Sequence, residues 1–233
     1  AVAPDAGRVL VGTVPDPTPM FPLGTVLFPH MPLPLRVFEP RYLIMLGRLL
    51  ESETPEFGVV LIERGHEVGG GEERSGVATM ARVVEVDARE GFVGLLAIGT
   101  DRLRVVDWLP DDPFPQAQIE VMDGLVWDDS LLDLHAETEA SVREALVAAA
   151  DPGPEFADDP QVTSTWPADT EVADDPLVSA WQLAAITPMG PLDAQSLLGS
   201  ATTEELLVRT RDLARDATQT ALLLRRFPPP PEL

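Results

Sequence analysis

Residues 21–42 read FPLGTVLFPHMPLPLRVFEPRY, an apolar run that carries prolines at 22, 29, 32, 34 and 40. Proline lacks a backbone N–H, so within sheets it is confined to strand ends, edges and bulges. A ribbon this apolar has to be buried, yet one this rich in proline cannot run through the middle of a sheet. Pro40 plays a different part. It opens EPRYLIMLGRLLES (39–52), where its fixed φ suits the first helical position and Tyr42, Leu46, Leu49 and Leu50 form an apolar stripe.

Downstream of this ribbon the text stays strand-like. FGVVLI (57–62) is apolar on both faces and suits a central strand, and GHEVGGGEERSG (65–76) reads as a long polar loop. VATMARVVEV (77–86) turns through DAREG into FVGLLAIG (92–99), a hairpin signal. DRLRVVDWL (101–109) resumes after a break expected at Gly99, and QAQIEVM (116–122) closes the series. About six short strands separated by turns predict a small, curled, mostly antiparallel β domain over 20–123, with the 39–52 helix covering one end.

After Asp123 the period becomes helical. DDSLLDLHAETEASVREALVAAA (128–150) starts at an Asp cap and aligns Leu131, His135, Thr138, Val142, Ala145 and Ala149. DPLVSAWQLAAIT (175–187) has Asp175 before Pro176, a cap followed by a first-turn proline, and PLDAQSLLG (191–199) is a short helix or turn. ATTEELLVRTRDLARDATQTALLLRRF (201–227) opens with Thr202 and Glu205 in capping-box spacing and stops at Pro228. These segments predict a helical subdomain over 124–227. Residues 151–174, rich in Asp and Pro, read as a long mobile connection within it. Residues 1–19 read as a loose arm and 228–233 as a proline-rich tail.

Composition narrows the chemistry. Sixteen basic against 39 acidic side chains give a formal charge of −23, which repels polyphosphate and counts against DNA or RNA as a partner. No run approaches the roughly 18 apolar residues of a membrane-spanning helix, and residues 1–19 lack the basic start and long apolar stretch of a signal peptide. A cytoplasmic location without membrane contact is expected. There is no cysteine and only three scattered histidines, so neither a structural zinc site nor any other metal or cofactor is expected. Every basic residue is arginine. Without lysine the chain cannot supply a P-loop lysine, a Ser-Lys dyad or a Schiff base.

The motifs that could carry chemistry mostly have plainer explanations. GHEVGGGEERSG looks like a phosphate cradle, but Glu67, Glu72 and Glu73 would oppose a phosphate. Asp111-Asp112, Asp128-Asp129 and Asp158-Asp159 sit beside prolines or at helix starts, where carboxylates cap or stay solvated. His135 lies on an apolar stripe and reads as a hydrogen-bonded core histidine. Glu39 and Arg41 flank Pro40. Arg41 sits at the positive end of a helix, so a structural clasp to an acidic or carbonyl partner elsewhere is expected.

FPLGTVLFPHMPLPLRVFEPRYLIML, then FGVVLIERG, GVATMARVVEV and GTDRLRVV, in this order and spacing, resemble the N-terminal substrate-binding domain of Lon proteases, and most of all the short bacterial proteins in which that domain stands alone. The WQLAA, LLG and LLVR pieces between 181 and 209 extend the likeness. The resemblance implies an α+β fold: a PUA-like, mostly antiparallel β-barrel with an inserted helix, followed by a helical bundle. In such a barrel the proline-rich ribbon would supply two short strands and the crossing between them, its side chains filling the barrel and its missing donors falling where no ladder partner is needed. It also implies a module that recognises unfolded or degron-bearing polypeptides, with a protease or chaperone as a candidate partner. The chain departs from full-length Lon in lacking the lysines of both the ATPase and the protease, so no catalytic activity is expected of it. Candidate contact residues are Phe21, Leu23, Phe28, Met31 and Phe38 from the ribbon, with Glu39, Arg41 and Tyr42 at the helix entrance. Two alternatives stay open. One is a small-molecule or enzymatic site at the barrel mouth; the other is an RNA-binding face around Arg82, Arg102 and Arg104.

Overall fold

The computed structural model describes residues 17–64, 73–150 and 166–226. The arm before residue 17, loop residues 65–72, the first part of the acidic connection and the tail lie outside the described residues. The order of elements is β1 (Thr18–Leu23), β2 (Pro32–Val37), α1 (Pro40–Leu49), β3 (Glu56–Arg64), β4 (Glu73–Arg89), β5 (Phe92–Leu109) and β6 (Gln116–Val121). A 3-10 turn (Asp129–Leu131) then leads into α2 (Leu132–Ala149), α3 (Pro176–Ile186), α4 (Pro191–Leu198) and α5 (Thr203–Arg226). No helix among the described residues is long and apolar enough to cross a membrane.

The sheet runs β2-β5-β4-β3-β1-β6, and β6 pairs again with β5. That second pairing closes β1, β3, β4, β5 and β6 into a ring and leaves β2 attached to β5 alone. All pairs are antiparallel except β1 with β3.

The ribbon supplies β1, β2 and the crossing, and its prolines fall where the expectation put them. The Met20 N–H donates to the Pro115 carbonyl at 2.8 Å, so alternate residues of β1 face β6. Pro22 faces the same way but lies beyond the two β1 residues that pair with β6. Pro19 precedes the first β1–β3 pair, Met20 with Gly58. Pro40 opens α1. The crossing turns at His30, whose φ of 65° lies in the left-handed region.

The sheet buries both of its faces, which is why FGVVLI reads as continuously apolar. Val60 joins Met20, Ala78, Leu103 and Ala117 on one face. Phe57 and Val59, on the other, join a larger core with Phe21, α1 and the helical region, through Trp181, Leu183, Leu206 and Leu207. Each large apolar side chain buried there contributes roughly 1.5–3 kcal/mol. Sheet and helices are therefore welded by one continuous core.

Three expectations need correction. The break expected at Gly99 is a bulge and not an end: β5 runs for 18 residues, its register against β4 shifts between Gly99 and Arg102, and the glycine is where the crossing presses on the strand. The buried stripe of α1 is Tyr42, Met45, Leu46 and Leu49, while Leu50 is 48% exposed. On α2 the buried set is Thr138, Ser141, Val142, Ala145, Leu146 and Ala148, a wider face than a single stripe because α3 and α5 both pack on it. The caps form as read. Asp175 accepts from the N–H groups of Leu177 and Val178, and Thr202 from that of Glu205, while the Glu205 carboxylate reaches back to Ala201 N–H. Residues 166–174, expected within the long connection, are held by Arg143, which donates to the carbonyls of Ala168 and Thr170, and by Gln182, which accepts from Ala173 N–H.

Candidate functional site

The eight residues singled out from the ribbon divide into two groups. Phe21, Leu23, Phe38, Glu39 and Tyr42 meet around a recess of about 190 Å³ at the end of β2, together with Pro22, Leu35, Arg36 and Val37. Phe21 stacks on Tyr42 with ring centroids 4.1 Å apart and forms its floor. Arg41 stands beside it, Cζ 4.6 Å from the Tyr42 ring centre, with Nε 3.0 Å from Glu39 Oε2. The clasp to an acidic group is real, and this partner lies two residues away. Phe28 and Met31 are not at the recess. Both are buried in the main core, where the Phe28 ring lies 6.1 Å from that of Trp181.

Burial separates contact candidates from core. Phe21, Leu23, Phe28, Met31 and Tyr42 are almost wholly buried, whereas Phe38 is 62% exposed at the rim of the recess. On α1, Leu43 and Ile44 are exposed as well.

The recess opens toward a shallow groove of about 670 Å³, with Leu35 and Arg36 common to both. The groove lies across β2, β5 and β4. Its floor is Pro34, Leu96, Gly94 and Phe92; its rim is Arg36 and Arg89 with Glu85 and Asp87. Arg36 lies over the Phe92 ring at 5.4 Å, and Arg89 Nε is 2.7 Å from Asp87 Oδ2. An apolar floor with a rim of both charges suits a side chain held by contact rather than by reaction. The groove residues went unnoticed in the sequence. The available signal was Phe92 beside a turn and Arg36 between apolar neighbours.

The alternatives fare differently. The three arginines do not share one open face: Arg104 is exposed and Arg82 is paired with Glu56 at 2.7 Å, but Arg102 is buried with its guanidinium on three backbone carbonyls. A hollow of about 300 Å³ lies beside Arg102, lined also by His30, Asp101, Leu177 and Trp181. Of its polar groups, Arg102 serves the joint between sheet and helices. Among the described residues no three of His, Asp and Glu gather as metal ligands.

His135 is hydrogen-bonded, as read, but it is half-buried at the edge of the core rather than inside it. Its Nε2 lies 3.0 Å from Ser179 Oγ and its ring meets Trp127 edge-on. Burial pushes its pKa below the ordinary value, opposed in part by the charge of Glu139. A histidine with a depressed folded pKa stabilises fully above its unfolded value of about 6.5 and loses that contribution as pH falls below it. His135→Gln is therefore expected to lose less stability than the parent between about pH 7.5 and 5.5. Urea midpoints at both pH values check this, and equal losses would contradict it.

The model of the ATP-dependent protease La (Lon) substrate-binding domain matches residues 17–216. The chain belongs to this family. Two solved Lon domains share its fold. A Lon N-terminal domain protein from Xanthomonas campestris is 22% identical, with a TM-score of 0.57 over 83% of this chain and 95% of the other. The N-terminal domain of Mycobacterium avium complex Lon protease is 16% identical, with a TM-score of 0.58 over 86% and 98%. At such identities the likeness carries the fold and not the contacts. The recess and groove of this Lon substrate-binding domain have to be read from its own side chains.

Proposed function

We propose that this chain is a non-catalytic module that holds exposed apolar segments of unfolded or degron-bearing polypeptides, and that it acts as an adaptor or regulator of proteolysis alongside a protease or chaperone. The observation that carries this reading is Phe38, 62% exposed at the mouth of a recess that runs on into an apolar-floored groove. An exposed phenylalanine beside a hollow has contact area to gain from an apolar segment. Membership of a substrate-binding domain family supports a polypeptide as the ligand.

Fluorescence anisotropy with a labelled, reduced and alkylated unfolded protein tests it. The parent is expected to bind saturably. Phe38→Ser is expected to weaken binding by about tenfold, the equivalent of one well-buried aromatic contact at the low end of its range. Its melting temperature should barely move, since an exposed surface substitution stays within about 0.5 kcal/mol. Absence of saturable binding by the parent would end this reading.

A further inference from the structure

β2, β5 and β4 form an arm with two outer edges, and proline treats them oppositely. The pairing of β3 with β4 starts at Glu56 with Arg82, and the last bond across is Val83 N–H to the Pro55 carbonyl at 2.9 Å. Beyond that point β4 pairs with β5 alone.

The register fixes which backbone groups face outward. His30 N–H donates to the Gly99 carbonyl and Gly99 N–H to the Met31 carbonyl, and pairing continues evenly from Pro32 with Ile98 to Val37 with Val93. Gly99, Ala97, Leu95 and Val93 therefore face β2, while Leu96, Gly94 and Phe92 face β4. Opposite these last three stand Glu85, Asp87 and Arg89, which take the ladder bonds. Val86 and Ala88 consequently turn both N–H and C=O away from the sheet. No backbone bond to either outward pair occurs among the described residues. On β2 the outward positions are Pro32, Pro34 and Arg36, two of which have no donor. One edge is blanked and the other is open.

We propose that the β4 edge at Val86 and Ala88 takes up an extended segment of the bound polypeptide as an added strand, one whose side chains alternate between apolar and basic. This rests on the function proposed above and names where and how the substrate is read. Side chains of an added strand would alternate between the two faces of the arm. On one face they would lie beside Val86, 38% exposed, and Ala88, next to Val84, 54% exposed. On the other they would lie beside Glu85, Asp87 and Arg89 at the groove rim, where Asp87 is already paired with Arg89 and the Glu85 carboxylate has no partner among the described residues. A basic residue suits the position beside Glu85. The formal charge of −23 favours the same partner and opposes a second copy of this chain, whose Glu85 and Asp87 would approach their own images.

The test uses a short labelled peptide of alternating valine and arginine, with versions N-methylated on one or the other alternate set of residues. Val86→Pro with Ala88→Pro removes both outward donors while sparing the ladder to β5. The double variant is expected to weaken peptide binding roughly tenfold with unchanged circular dichroism. Methylation of one set should weaken binding comparably and of the other set should not. Equal binding by parent and double variant, or by both methylated peptides, overturns the proposal. Should the double variant fail to fold, the methylated peptides decide. A parent that binds the unfolded protein but not the peptide overturns this inference and leaves the proposed function standing; a parent that binds neither overturns both. A parent dimer in sedimentation that the double variant dissociates also overturns it, because the edge then belongs to a second copy.

Discussion

Arg102→Met is expected to lower the unfolding free energy by about 3 kcal/mol or more. Arg102 is 5% exposed and has no carboxylate partner among the described residues. Its Nη1 donates to the carbonyls of Leu198 at 3.1 Å and Ser200 at 2.6 Å, and its Nη2 to that of Asp123 at 2.9 Å. The guanidinium also stands 5.3 Å from the centre of the Trp181 ring. Burial pulls its pKa below the ordinary arginine value, yet a guanidinium stays charged at any physiological pH. One strand residue thus fastens the joint between α4 and α5 and the chain leaving β6 to the sheet. Methionine fills much of the volume but leaves three carbonyls without their donor, each worth about 1–3 kcal/mol when it cannot reach water. Arg102→Lys should lose most of the same stability, because a single ammonium cannot span a fan of acceptors served by two nitrogens. Urea unfolding of both variants measures this. A methionine variant within about 0.5 kcal/mol of the parent would show the clamp to be dispensable.

The fold was legible where local chemistry and long-range packing agreed. Asp175 before Pro176 and Thr202 before Glu205 announced helix starts that the backbone then adopts, because a cap is decided by neighbours within a few residues. The prolines of the ribbon announced edges and ends, because a missing N–H admits few positions in any sheet. Gly99 was misread for the opposite reason. A glycine within a β-branched run looks like a turn, and only the crossing at Phe28, brought in by tertiary packing, explains why a continuous strand needs it there. Leu50 and Met45 exchanged places for a local reason: α1 ends at Leu49, which leaves Leu50 as its cap, and the buried stripe is Tyr42, Met45, Leu46 and Leu49.

The candidate site was legible in its residues more than in its roles. The ribbon had to be apolar, so it named Phe21, Leu23 and Tyr42 as readily as Phe38, although only the last remains largely exposed. Which face of a ribbon meets water depends on what covers it from elsewhere in the chain. Here α1, Trp181 and α5 do the covering. The groove and the open β4 edge depend on register between strands far apart in sequence. Alternation in VATMARVVEV cannot reveal that β3 stops at Glu56 and leaves the end of β4 unaccompanied.

Register also underlies the second large effect. Gly99→Ala is expected to cost about 3 kcal/mol, at the upper end of what overpacking brings. A Cβ at this position would overlap the Phe28 carbonyl oxygen and stand 3.1 Å from its carbon and 3.2 Å from Leu27 Cγ. The obstacle is backbone, and that backbone is pinned on three sides. Thr79 Oγ1 donates to the Leu27 carbonyl at 2.5 Å, His30 N–H to the Gly99 carbonyl at 2.8 Å, and Gly99 N–H to the Met31 carbonyl at 2.9 Å. Relief would require breaking these bonds and shifting Phe28 away from Trp181. Gly58→Ala provides the comparison. Its Cβ would overlap only the Sδ and Cε ends of Met20, a flexible side chain, with Leu103 Cδ1 at an ordinary 3.4 Å. Trimming the obstacle should therefore separate the two sites. Met20→Val is expected to recover most of the stability lost in Gly58→Ala, whereas Leu27→Ala should recover none of that lost in Gly99→Ala, since the Phe28 carbonyl remains. Thermal melts of the two single and two double variants decide the matter, and a rescue of Gly99→Ala by the Leu27 change would show that the crossing yields where the structure holds it rigid.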